Sequence, residues 1–371
     1  MNGQLLYNIG ITLLPGVGDV TAKNLIAYCG SAEAVFKERK SRLEKIPGIG
    51  SITAEALTNE YAIQTALKRA EEEIKFIEKD EIIPFFFTDS EYPVRLKQCD
   101  DGPVMLYSKG NINLNSERII SIVGSRRATV YGKKICEQIV DALAPYNTLI
   151  ISGLAYGIDI TAHRAALKNN LPTVGVLAHG LDLVYPSEHT NTAKKMIESG
   201  GLISEFMSDT KMNPEYFPRR NRIVAGISEA TIVIEATVKS GALITAQIAN
   251  SYDRDVFAVP GRLDDSSSEG CNLLIKANKA MLIQSAEDVI KALSWDVETK
   301  KPRQTQPKLF SDLSGEEELI VNLLKEKKGI HIDELSIASK LSMGKTASLL
   351  LNLEFSGVIK SLPGKVYELN N

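Results

Sequence analysis

Three arginines and an asparagine stand among apolar residues in Phe217-Pro218-Arg219-Arg220-Asn221-Arg222-Ile223-Val224-Ala225-Gly226, inside a 371-residue chain of net charge −3. Cations concentrated against the overall balance usually face an anion. Guanidinium groups fork onto phosphate oxygens and also stack on flat bases, so the segment reads as a nucleotide or nucleic-acid contact. The plainer reading is a helix start whose solvated arginines pair with nearby carboxylates. Phe217 is open to two roles, core anchor beside a proline or platform for a stacked base. Three small-residue turns add amide groups that suit phosphate: Gly124-Ser125-Arg126-Arg127, Ser152-Gly153-Leu154-Ala155-Tyr156-Gly157-Ile158-Asp159, and Ser240-Gly241-Ala242-Leu243-Ile244-Thr245-Ala246. The expected contacts to DNA are therefore Gly124, Ser125, Arg126, Arg127, Ser152, Gly153, Phe217, Arg219, Arg220, Asn221, Arg222, Ser240, Gly241 and Thr245.

Other chemistries find less support. Asp159, Asp182, Glu205 and Glu235 follow different strands and show no acid–base pairing, so helix caps and arginine partners are the expected roles. His163 reads as a structural helix residue bonded locally. Cys29, Cys99, Cys136 and Cys271 lie far apart, and the four histidines form no ligand motif, so neither zinc, another metal, a cofactor nor a disulfide framework is expected. That cysteine usage suits a reducing cytoplasm. The start, Met1-Asn2-Gly3-Gln4-Leu5-Leu6, has no basic region and is not expected to be a signal peptide, and no apolar run is long enough to span a bilayer.

The elements that must hold these residues fall into three regions. In residues 1–78, Leu14-Pro15-Gly16-Val17-Gly18-Asp19-Val20-Thr21-Ala22-Lys23 recurs as Ile46-Pro47-Gly48-Ile49-Gly50-Ser51-Ile52-Thr53-Ala54-Glu55, and both copies resemble helix-hairpin-helix motifs. Asp19 and Glu55 set negative charge beside the two turns and only Lys23 answers them, which leaves DNA binding and a structural role both open. An acidic amphipathic helix over 62–78 leads out of this region. Residues 79–295 alternate β-branched runs with helical patterns, the form of a parallel sheet flanked by helices. Expected strands are 82–87, 119–123, 148–152, 173–177, 231–234, 256–259 and 281–283, with the glycine-rich turns gathered where such sheets bind ligands. Residues 296–314 are polar, contain Pro302 and Pro307, and read as a linker. In 315–371, helices over 316–326, 332–338 and 345–355 and a hairpin formed by Gly357-Val358-Ile359-Lys360 and Lys365-Val366-Tyr367-Glu368 make a winged helix, in which Gly344-Lys345-Thr346 only imitates a P-loop because position 339 is serine.

These motifs together resemble the bacterial DNA-processing protein A family, also called Smf, over nearly the whole chain. The resemblance rests on Tyr92-Pro93 with Pro103 and Gly110, the Gly124 and Ser152 turns, Ala162-His163, Gly180-Leu181-Asp182, Tyr185-Pro186, Ser204-Glu205, Phe217 to Gly226, Glu235-Ala236, Ser240 to Ala246, Val259-Pro260-Gly261 and Gly270 to Ile275. Asn278 departs from it, standing where the family usually has glycine. The resemblance implies an extended Rossmann-like α/β domain between an N-terminal helical domain and a C-terminal winged helix. It further implies a homodimer that binds single-stranded DNA and loads RecA recombinase in natural transformation, with no catalytic role. Leu274 and Ile275 lie in an apolar stretch, Gly270 to Ile283, that either completes the core or faces a partner. The rival class is a nucleotide-binding or N-glycoside-hydrolysing enzyme of related fold, but Ser240 to Gln247 lacks the carboxylate such a site needs. A transcription regulator acting through the winged helix is weakly supported, since Lys340 and Lys345 are opposed by Glu354.

Overall fold

The computed structural model describes residues 2–295, 314–326, 329–356, 358–362 and 364–369. The chain divides into two compact units, 1–293 and 294–371. The expected linker, apart from Ser314, lies outside the described residues, as does Gly357 of the expected hairpin.

The first unit begins with helices Asn2–Ile11, Asp19–Cys29, Ala32–Lys37, Lys40–Leu43, Ser51–Leu57 and Glu60–Lys79. In both repeats the first glycine of Pro-Gly-x-Gly, Gly16 or Gly48, has positive φ, and the second, Gly18 or Gly50, precedes the next helix in extended conformation. That is why the repeat needs glycine where it has it: a side chain is strained in the left-handed region. The Glu60–Lys79 helix hides a surprise on its acidic face. Glu73 is buried, and it accepts hydrogen bonds from the Ser208 amide at 3.0 Å, the Ser208 hydroxyl at 2.5 Å and Arg69 at 2.9 Å. The helical segment and the sheet share one core, in which Ile9, Leu14, Leu25 and Leu57 join Phe86, Met105 and Tyr107.

The sheet has nine strands in the order β1-β2-β6-β5-β4-β3-β7-β8-β9. These are β1 (Ile83–Phe86), β2 (Met105–Gly110), β3 (Ile119–Val123), β4 (Leu149–Ser152), β5 (Thr173–Val176), β6 (Gly201–Ser204), β7 (Ala230–Val233), β8 (Asp255–Ala258) and β9 (Met281–Leu282). All seven expected strands are present. The two unforeseen ones, β2 and β6, carry short apolar runs interrupted by serine, lysine or glycine, and β2 pairs antiparallel with both β1 and β6. From β6 to β9 every pairing is parallel. Ile120, Ile122, Ile150 and Ile232 are fully buried in this sheet, each contributing about 1.5–3 kcal/mol relative to an exposed side chain.

Connectivity decides where a ligand fits. The chain steps from β3 outward through β4, β5 and β6, then returns to place β7 on the other side of β3. Beyond the carboxyl ends of β3 and β7 the chain therefore leaves in opposite directions, which opens a crevice. The three glycine-rich turns follow β4, β3 and β7, neighbours in the sheet.

The second unit packs helices Gly315–Glu326, Ile332–Ser339 and Met343–Phe355 against β10 (Ile330–His331), β11 (Ile359–Leu362) and β12 (Val366–Leu369), in the sheet order β10-β12-β11. Its core is Ile320, Leu324, Leu335, Leu350, Leu353 and Ile359. Three helices and a small antiparallel sheet form the expected winged helix. Lys345 is ion-paired with Glu316 and Thr346 is buried with its hydroxyl donating to the Ser342 carbonyl, so the P-loop lookalike is a helix start.

Candidate nucleic-acid interface

After β3 the chain turns through Gly124-Ser125-Arg126-Arg127. The Ser125 amide donates to the Glu235 carbonyl at 2.7 Å, and the Ser125 carbonyl accepts from the Ile158 amide at 3.2 Å. Gly157 has positive φ, and a Cβ there would sit 2.1 Å from the Ser125 carbonyl oxygen, so only glycine lets the two turns meet. Glu235 is buried beneath; its carboxylate accepts from the Thr129 amide at 2.9 Å and from the Thr129 hydroxyl, bracing the start of the Val130–Leu143 helix. The result is a fixed turn that pushes Arg126 and Arg127 into solvent, and neither has an ion-pair partner among the described residues. The Arg126 guanidinium carbon lies 5.3 Å from the Phe217 ring centroid. That is within reach of a cation–π contact and leaves both groups at the edge of the crevice. Phe217 is half-buried and is not among the core residues; Tyr185, half-exposed, stands 6.4 Å from it.

The remaining expected residues divide sharply. Ser152 is buried and its hydroxyl donates to the Ile122 carbonyl at 2.6 Å. The Gly153 amide, expected to face phosphate, donates instead to the Asp159 carboxylate at 3.1 Å, and Ala155 does so at 3.4 Å. Burial pushes the Asp159 carboxyl up, with Arg220 and these hydrogen bonds pulling the other way. Arg220 is buried and donates to the carbonyls of Gly153 and Val176; burial pushes it down to about 10, which still leaves it charged at neutral pH. Both residues thus build the turn rather than face a ligand. Asn221 reaches across to the Gly241 carbonyl at 3.5 Å, Ser240 caps the Gly241–Ser251 helix by accepting from the Ala242 amide, and the Thr245 hydroxyl is buried against the Gly241 carbonyl. Gly241 is exposed with open space where a side chain would be.

Arg219 and Arg222 point to the helical segment. Arg222 is 7% exposed, pairs with Glu205 at 2.5 Å and Asp19 at 3.1 Å, and donates to the Asp101 carbonyl. Arg219 pairs with Glu205 at 2.7 Å and Asp19 at 3.4 Å and lies over the Phe206 ring. Burial lowers the Arg222 pKa but Glu205, Asp19 and Asp101 more than reverse this, so the net shift is upward; burial pushes Glu205 up against the pull of both arginines. Two expectations are corrected here. Arg222 has no free guanidinium to offer a phosphate, and Asp19 is answered by two arginines 200 and 203 positions away while Lys23 bonds the Cys99 and Asp100 carbonyls. Glu55 pairs with Lys40.

The expected carboxylate roles describe the structure well: Glu205 holds arginines, Glu235 braces a helix start, Asp159 closes a turn and Asp182 accepts from the Asp209 amide. His163 is bonded through Nδ1 to the Thr173 hydroxyl at 2.7 Å, and burial pushes its pKa down to about 3. Among the described residues no group of three or more His, Cys, Asp or Glu gathers as for a metal ion, and no helix is long and apolar enough to cross a membrane. All four cysteines are free thiols.

Leu274 requires correction too. It is 4% exposed in the core with Leu243 and Cys271, and Ile275 packs half-buried against that core. The outward apolar groups are Leu273, 47% exposed, and the edge-strand pair Met281 and Leu282. Tyr156 and Tyr185, both exposed, are absent from the expected contacts; for Tyr156 the sequence signal is an aromatic in the turn just after β4.

The comparisons agree with this architecture. The family model described as DNA recombination-mediator protein A matches residues 84–294, that of the DprA winged helix domain matches 301–365, and that of the SAM-like helix-hairpin-helix tandem matches 11–61. A Synechocystis protein named Smf is 30% identical over 99% of both chains, and DNA processing protein DprA of Bacillus subtilis is 41% identical over 56% of this chain and 69% of its own. Among solved structures, DprA from Streptococcus pneumoniae aligns with TM-score 0.65 and 31% identity over 77% of this chain and 97% of that one. Helicobacter pylori DprA, in a structure described as showing its single-stranded DNA binding mode, aligns with TM-score 0.53 and 28% identity over 58% and 97%. With a family model matching 84–294 and a relative 30% identical over 99% of both chains, the chain belongs to the DNA recombination-mediator protein A family.

Proposed function

We propose that the chain binds single-stranded DNA across the carboxyl edge of β3, β4 and β7 and passes it to RecA recombinase during the processing of incoming DNA, acting inside the cell without catalysing a reaction. The observation that carries this reading is the unpaired Arg126 guanidinium over the half-buried Phe217 ring, beside exposed Arg127 and Tyr185. Cation next to aromatic is the combination that binds a flexible strand, since phosphates take the charge and every base offers a flat face. A duplex hides those faces. The Helicobacter pylori relative, whose description names single-stranded DNA, and the family description as a recombination mediator support the same reading. The second half of the proposal is a homodimer formed through the β9 edge, where Leu273, Met281 and Leu282 leave apolar area uncovered.

Titration of labelled oligothymidine with the full chain tests the first half. Arg126→Ala should weaken binding about tenfold, as loss of a charge-assisted contact does, while Lys195→Ala on the exposed face of the Thr190–Ser199 helix should not. Equal affinity of Arg126→Ala and wild type would sink the assignment. For the second half, light scattering should give a dimer mass, and Met281→Asp with Leu282→Asp should give a folded monomer that no longer stimulates RecA filament growth on a single strand.

A further inference from the structure

Beyond Arg126 the crevice continues into a second cleft, lined by Arg126, Arg127, Lys133, Tyr156, Arg164 and His189 together with Glu137 and Glu188. It runs between the starts of two helices, Val130–Leu143 and Ile158–Lys168, that follow β3 and β4. Arg127, Lys133 and Arg164 are exposed, and none of them, nor Arg126, has an ion-pair partner among the described residues. Two carboxylates, Glu137 and Glu188, face these four cations and leave a net excess of positive charge; Glu188 is held in place by the Ser187 hydroxyl at 3.3 Å and by the Tyr156 hydroxyl. Tyr156 is half-exposed, and its ring is held edge-on by His189 at 5.0 Å, while His189 Nδ1 is anchored at the Leu154 carbonyl. A rigidly held aromatic ring among unpaired cations is the same chemistry as the Arg126 and Phe217 pair, repeated one step along the surface.

We infer that this cleft is a second nucleotide-binding subsite, in which Arg127, Lys133 and Arg164 hold phosphodiester groups and Tyr156 stacks a base, so that a strand leaving the sheet edge is led down between the two helices. The inference rests on the reading of the sheet edge as a single-stranded DNA site. It makes the length of strand covered, and not only affinity, a property of named residues.

The test compares full-chain binding of oligothymidines of about 6 and about 16 nucleotides, a range that spans the site sizes of single-strand binders. Lys133→Ala with Arg164→Ala should leave the short oligomer bound as by wild type and weaken the long one about tenfold. The slope of log affinity against log salt for the long oligomer should become shallower by about 1.4, at about 0.7 per lost phosphate contact. Tyr156→Ala should likewise weaken only the long oligomer. If the alanine pair melts early, Lys133→Gln with Arg164→Gln gives the same readout on exposed positions. An unchanged slope and unchanged long-oligomer affinity in a folded variant would overturn the inference and leave the sheet-edge site standing, as would equal loss at both lengths. Failure of wild type to bind either oligomer at low salt would remove the underlying reading itself.

Discussion

Arg222→Ala separates a structural arginine from a DNA-binding one. In the wild type the Arg222 guanidinium lies between Glu205 at 2.5 Å and Asp19 at 3.1 Å, with the Glu205 side chain only 2% exposed. Removing one partner of a buried pair costs about 3–5 kcal/mol, because the other charge stays in a poorly solvating site. Arg219 still reaches Glu205 at 2.7 Å, which places the expected loss near the lower bound, about 3 kcal/mol. With a urea slope of about 3 kcal/mol per M, the unfolding midpoint of the first unit should fall by about 1 M. The assay is urea denaturation followed by circular dichroism, read on the transition of that unit because the chain has two. Glu205→Gln in the same background should recover part of the loss by removing the stranded charge. Strand affinity of Arg222→Ala, measured where the protein is still folded, should stay within about twofold of wild type, far short of the tenfold loss expected on removing a charge-assisted phosphate contact. An unchanged midpoint combined with a tenfold affinity loss would refute the placement of this arginine and return it to the DNA interface.

Three further outcomes follow from the same geometry. Leu274→Asp should prevent stable folding, since a core leucine replaced by a smaller side chain already costs about 2–5 kcal/mol and a buried charge adds to that, while Leu273→Asp should fold and weaken self-association; calorimetry and light scattering distinguish them. His163 is neutral when folded and protonates near pH 6.5 when unfolded, so the stability it contributes is complete above about pH 6.5 and drains away as pH falls toward 3; His163→Gln should flatten that part of the stability profile in urea melts. Gly157→Ala should destabilise the fold and loosen the Ser125 turn, lowering strand affinity with no charge removed, as thermal melts and titration would register.

Most of the sheet was legible because its central strands are β-branched runs ended by small residues, as at Ile119–Val123 and Leu149–Ser152. The strands β2 and β6 were not, since Ser108-Lys109-Gly110 and Gly201-Leu202-Ile203-Ser204 draw their burial from position rather than from composition. The arginine cluster shows the limit of adjacency. Successive helical residues point about 100° apart, so within two turns Phe217 meets Arg126, Arg220 dives beneath Gly153, and Arg219 with Arg222 faces Asp19. Nothing local announces a partner 200 positions away. Glu73 and Leu274 teach the same lesson from opposite sides, a charge that is buried by Ser208 and a leucine that is core while its neighbour Leu273 is not.

The central claim is that a cation and an aromatic ring at the carboxyl edge of the sheet bind DNA as a single strand. Its most direct measurement is equilibrium affinity of the full chain for a single-stranded oligomer and for its duplex across a salt series, for wild type and for Arg126→Ala with Phe217→Ala. The account predicts a single-strand affinity that falls steeply with salt and exceeds that for the duplex, and in the double variant a loss of at least tenfold with a shallower salt slope. Equal affinity for both forms of DNA, or a double variant that binds as wild type does, would contradict it.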